Sequence, residues 1–162
     1  MTTHPFLDEG DQPKWSTLQP EYIENDISLA LEEAEKNIQK IRNLNPADVT
    51  FLNTIKALEQ STSLLNSAWG LVSHLDSVCN SDDLRKAHNA MLPAVSEFGA
   101  KIPLDGKLWK NIKAFAESEQ VKSLSQIDQR LVHETIKDFQ EAGADLSAEK
   151  RKRLEELSGE LA

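Results

Sequence analysis

Four histidines are the side chains best suited to hold a metal or move a proton here: His4, His74, His88 and His133. Spacing singles out the last. His133-Glu134-Thr135-Ile136-Lys137 follows the helical pattern in which two imidazoles one turn apart bind zinc and a glutamate between them serves as base, but Lys137 occupies the second ligand position. A protonated ammonium has no lone pair to offer a metal, so the run reads as a solvated helix face. His74, next to Leu75, reads as a hydrogen-bonded histidine at a helix contact. His88 reads as a surface or boundary residue, and His4 belongs to an N-terminal arm. Cys79 has no basic neighbour to depress its pKa and reads as a small buried hydrophobe. Trp15, Trp69 and Trp109 suit a ligand groove, yet at helical spacing they read first as packing anchors. No GxGxxG or GxxxxGK loop is present to cradle phosphate. The residues therefore assign no catalytic, cofactor-binding or metal-ligating position.

The overall charge narrows the choice of partners. Lys and Arg number 18 against 27 Asp and Glu, a formal net charge of −9 that repels phosphate backbones and anionic lipid surfaces. The one basic run, Lys150-Arg151-Lys152-Arg153, is flanked by Glu149, Glu155 and Glu156, and helical pairing across one turn accounts for it. No apolar run approaches the roughly 20 residues of a membrane span. A single cysteine cannot form an internal disulfide, which fits a reducing compartment. The start of the chain lacks the basic and apolar stretches of a secretory signal, so a cytoplasmic location is expected.

The elements that would position these residues are almost all helices. Residues 1–19 carry Pro5, Gly10 and Pro13 among isolated apolar residues, and read as an extended arm tied down by Phe6, Trp15 and Leu18. Pro20 opens a helix over about 20–43 with Ile23, Ile27, Leu31, Ala34, Ile38 and Ile41 on one stripe. Asn45-Pro46 breaks it. One long helix is expected from Phe51 to about Cys79, with Gly70 as a bend. Ser81 caps a third, whose stripe is Leu84, Ala87, Met91, Leu92, Val95 and Phe98 and which Pro93 should kink or divide. A short helix through Leu108, Trp109, Ile112 and Phe115 ends near Ala116. Residues 117–124 are ambiguous. Ser125 opens a helix through Ile127, Leu131, Ile136 and Phe139 that Gly143 stops, and Ser147 caps a last one with Leu154, Leu157 and Leu161 on one stripe. That last helix carries no stop signal beyond Gly159, so either it frays into solvent or further helices of a longer chain cover its stripe. The fold class is all-α: a multi-helix bundle of about six helices over 20–162, with an extended N-terminal arm over 1–19.

Three stretches carry a resemblance. They are Trp15-Ser16-Thr17-Leu18-Gln19-Pro20-Glu21-Tyr22-Ile23; Trp69-Gly70-Leu71-Val72-Ser73-His74-Leu75-Asp76-Ser77-Val78 with Asn80-Ser81 and Leu84-Arg85; and Asp138-Phe139-Gln140-Glu141-Ala142-Gly143-Ala144-Asp145-Leu146 with Glu149-Lys150 and Arg153-Leu154. In this order they resemble the amino-terminal part of the thimet oligopeptidase and oligopeptidase A family of zinc metallopeptidases. The resemblance implies two mostly helical lobes around a channel that admits short peptides, with zinc held by a His-Glu-x-x-His and a later glutamate in the catalytic lobe. None of those ligand positions matches a residue here, His133 included. It follows from the resemblance that this chain carries no cofactor of its own, while zinc, the remaining helical lobe, the catalytic domain and peptide substrates belong to a parent enzyme. The segment would be a non-catalytic part of the channel wall. The competing expectation is a free-standing acidic helical module that binds another protein through its open apolar stripe.

Overall fold

Pro20 does start the first helix, because its missing N–H falls where no intrahelical partner exists and its fixed φ suits the first turn. The computed structural model describes residues 4–8, 10 and 12–161, with side chains through Leu157. Helix α1 is Pro20–Arg42, α2 Ala57–Ser61, α3 Ser63–Val78, α4 Asp82–Lys101, α5 Gly106–Ala116, α6 Gln126–Glu141 and α7 Ala148–Leu161. Among the described residues there is no strand, and the architecture is all-α. None of these helices is long and apolar enough to cross a membrane. The arm contains two short 3-10 turns, Pro5–Leu7 and Trp15–Thr17.

Several expected helix boundaries hold for local chemical reasons. Ser81 Oγ accepts the Leu84 N–H, and Ser125 Oγ accepts that of Asp128, so each hydroxyl satisfies one orphan donor of a first turn. Gly143 follows α6 with φ of +99°, a left-handed conformation in which its N–H reaches back to the Gln140 carbonyl. A Cβ there would lie 2.9 Å from Leu154 Cδ2 and 3.0 Å from Leu146 Cδ1. Gly143→Ala is therefore expected to destabilise the chain by about 1–2 kcal/mol, read as a lower urea midpoint with an unchanged slope.

The long run from Phe51 departs from expectation. It is three pieces: a π-helical turn at Phe51–Lys56, then α2, then α3 after an interruption at Thr62. Hydrophobic spacing continues across the interruption, but Ser61, Thr62 and Ser63 offer three consecutive hydroxyls that compete for backbone groups. Gly70 lies inside the uninterrupted α3 and marks no break. Pro93 also lies inside a continuous helix; it withholds one hydrogen bond from the Asn89 carbonyl, and both residues are exposed, so water can take its place.

Two compact units arise from this chain. The first comprises residues 4–36 and Ser61–Val95, the second Asn37–Gln60 and 96–161. In the first, Ile23, Ile27, Ala30 and Ala34 of α1 are buried together with Leu65, Ala68 and Val72 of α3 and Leu84, Ala87 and Met91 of α4. Leu31 is only half-buried, Ala30 taking the position expected for it, and Leu92 lies on the exposed side of α4. Phe6 is buried and Leu18 nearly so, but Trp15 is 50% exposed and does not anchor the arm. Phe6 and Leu18 do, and polar contacts add to them: the Phe6 N–H donates to Asp26 Oδ2 at 3.0 Å, and His4 Nδ1 lies 2.8 Å from Asp26 Oδ1.

The second unit holds one continuous apolar core, with Ile38, Ile41, Ile55, Leu108, Ile112 and Phe115 at its centre. Polar contacts join the end of α1 to α5. Asn111 is buried and its amide donates to the Ile41 carbonyl at 2.8 Å, an orphan acceptor of the last turn of α1, and to that of Leu44 just beyond it at 3.2 Å. Asp105 caps α5 by accepting the N–H groups of Lys107 and Leu108, while its other oxygen accepts Arg42 Nε. On α6 the buried side chains are Val132, Thr135 and Phe139, and Ile127, expected inside, is 81% exposed on the first turn. Leu154 is half-buried and Leu157 exposed on α7, whereas the Leu161 side chain lies outside the described residues.

Candidate functional site

The histidine segment of α6 is occupied with ordinary helix-surface contacts. Glu134 faces Arg130 at 3.8 Å and Lys137 faces Glu141 at 3.8 Å, each one turn away, and the Thr135 hydroxyl donates to the Leu131 carbonyl. His133 is exposed. The other histidines are scattered. His88 stacks on Trp69 with ring centroids 4.8 Å apart, His74 is exposed against Trp15, and His4 sits by Asp26. Cys79, expected to be buried, is exposed because it falls at the C-cap of α3, just past the last turn that could cover it. Among the described residues no three His, Cys, Asp or Glu side chains converge to hold a metal ion, and this donor set does not make a zinc centre.

A concavity lies in the second unit, where α5, the 3-10 turn Glu119–Ser123 and α6 surround a groove of about 340 Å³. Its apolar lining comes from Trp109, Ala116, Val121, Val132 and Ile136, and its polar lining from Lys113, Glu117, Gln129, His133 and Gln140. Helical spacing produces this set. Trp109, Lys113 and Ala116 repeat on one face of α5, as Gln129, Val132, His133, Ile136 and Gln140 do on α6. Trp109 serves both purposes weighed for it. Its ring is stacked on Phe139 at 5.8 Å, largely buried, and it also borders the groove.

Beside the groove, Asp145 gathers three donors. The amide of Gln140 donates to Oδ2 at 2.8 Å and the Trp109 indole to Oδ1 at 3.1 Å, while Lys113 Nζ lies 3.4 Å from Oδ1 and 5.7 Å above the indole centroid. The Gln140 hydrogen bond, followed by those from Trp109 and the charge of Lys113, holds the Asp145 carboxyl below its usual value of 3.8. A depressed carboxylate stabilises the fold above its unfolded pKa, and that contribution disappears as pH falls through the folded one. The Trp109 indole N–H resonance is thus expected to titrate below pH 3.8, and Asp145→Asn to abolish that titration. Sequence reading missed Asp145, Lys113 and Gln140. Their only signal is position: Lys113 one turn after Trp109, and Asp145 two residues beyond the left-handed Gly143 that folds the chain back.

The groove offers apolar surface with polar edges, an arrangement suited to binding. Residues 23–151 match the family model described as "Neurolysin/Thimet oligopeptidase, N-terminal domain". The chain belongs to this family. Oligopeptidase A of Haemophilus influenzae is 29% identical over 98% of the chain, and oligopeptidase A of Escherichia coli 27% identical over 98%. A dipeptidyl carboxypeptidase of Salmonella typhimurium is 26% identical over all of it. The chain spans about a quarter of the length of these relatives, 23% of either oligopeptidase A and 24% of the carboxypeptidase. As an N-terminal domain of the neurolysin/thimet oligopeptidase family, it contains the groove and the Asp145 cluster inside the matched region.

Proposed function

We propose that this chain is the non-catalytic amino-terminal part of a cytoplasmic, zinc-dependent oligopeptidase that hydrolyses short peptides, and that its helices form part of the wall of the channel that admits them. In this reading the zinc ligands, the catalytic domain and the remaining helical lobe belong to the rest of a longer protein, and the helices presented here limit substrate size and exclude bulk water. The observation that carries it is the match of residues 23–151 to an N-terminal domain, in a chain equal to 23% of oligopeptidase A.

Sequencing the natural reading frame beyond codon 162 is the direct test. A continuation that reaches a helical His-Glu-x-x-His supports the proposal. A stop codon immediately after Ala162 overturns it, and leaves a helical protein-interaction module as the better reading. The 162-residue chain itself is expected to show no turnover of a fluorogenic oligopeptide with zinc added; chelator-sensitive cleavage would contradict the scaffold role.

A further inference from the structure

We infer that the groove between α5 and α6 binds a short peptide segment in which a large apolar side chain neighbours a lysine or arginine. The inference concerns this chain's own surface and stands apart from the peptidase reading. Two properties of the groove support it. The first is size and lining: about 340 Å³ bordered by Trp109, Val121, Val132 and Ile136 accommodates one phenylalanine- or leucine-sized side chain with adjoining backbone, within the range of small-ligand sites.

The second is the chemistry of the polar edge. Gln129 spends one amide N–H on the Leu124 carbonyl and Gln140 one on Asp145, so each keeps a carbonyl oxygen and a second N–H to offer. The Glu117 backbone N–H donates to the Lys113 carbonyl, while its exposed carboxylate has no hydrogen bond or ion pair among the described residues. Lys113 is the one permanent cation of the lining, and its charge is offset by Asp145 at 3.4 Å. The groove therefore presents amide groups that can still accept or donate, and one exposed carboxylate without an ion-pair partner among the described residues, around an apolar floor. The complement is a donor-rich cation attached to an apolar group.

The test uses the 15N-labelled 162-residue protein and three probes: N-acetyl-Phe-Arg-amide, N-acetyl-Ala-Arg-amide and N-acetyl-Phe-Glu-amide. With the first, saturable NMR shifts are expected at the Trp109 indole and at the backbone of Lys113, Glu117, His133 and Ile136. Removing the ring should weaken binding at least about tenfold. Reversing the probe's charge, or replacing Glu117→Gln on the exposed protein surface, should weaken binding of the cationic probe about threefold. Equal affinity for the Arg and Glu probes overturns the inference, as do shifts confined to other surfaces. So does a groove whose resonances move with protein concentration alone, because a second copy is then its occupant.

Discussion

Phe115→Ala is expected to destabilise the second unit by about 3–5 kcal/mol, the cost of removing a large ring from a site that cannot collapse around the void. Phe115 is fully buried and its ring meets that of Phe51 at 6.2 Å, tilted by 44°. It lies on α5 with Ile112 and Leu108, and the same core takes in Ile38 and Ile41 of α1, Ile55 of the π-helical turn and Val132 of α6. The void would therefore open among elements from four parts of the sequence. Urea unfolding followed by circular dichroism checks the size of the loss, and hydrogen exchange shows where it falls. Amides of α5 and α6 should exchange faster by two orders of magnitude or more, about the factor that 3 kcal/mol represents. A midpoint within experimental error of the unsubstituted chain would refute the account of this core. Phe115→Leu, which keeps most of the volume, should recover well over half of the loss.

The contrast between what could be read ahead and what could not follows the range of the interactions. Pro20, Ser81, Ser125 and Gly143 act within a turn of their own positions, and the structure uses each as its local chemistry implies. The stripe of α1 was legible for the same reason, since its period is a property of the helix alone. Trp15 and Ile127 were misplaced because hydrophobicity does not say which side of a short turn finds cover; both are largely exposed. The interruption at Thr62 was hidden by apolar spacing that survives it. Asn111 and Asp105 were invisible for a different reason. Each serves a partner some sixty to seventy positions earlier, Asn111 the Ile41 carbonyl and Asp105 the Arg42 guanidinium. Polar residues that satisfy distant backbone groups carry no periodic mark. The groove falls between these cases: its two helical faces are periodic, but which faces meet is a tertiary fact.

Asp26 is the clearest such residue, and its removal is the second large expected effect. Its side chain has no exposure to solvent, although it lies in a helix whose neighbouring Glu24 and Asn25 are exposed. Burying a carboxyl group is costly unless hydrogen bonds replace water. The arm provides them: the Phe6 N–H at 3.0 Å and the His4 ring at 2.8 Å. The dependence runs both ways, because seating Phe6 against α3 draws its own N–H out of water, where Asp26 is the acceptor it finds. Asp26→Ala leaves that donor unpaired and opens a cavity, and is expected to cost about 3 kcal/mol. The Phe6 amide should lose its exchange protection before the amides of α3 do. Asp26→Asn keeps an oxygen that can accept from Phe6, so it should lose no more than about half as much. Deleting residues through Leu7 removes the arm's two contacts, leaves the Asn25 amide donating to Asp26 Oδ1 and exposes the buried carboxyl to water, and should cost mainly the burial of Phe6, about 2 kcal/mol. If Asp26→Ala unfolds at the same urea concentration as the parent chain and the Phe6 amide stays protected, the apolar ring alone holds the arm, and the buried carboxylate contributes nothing to it.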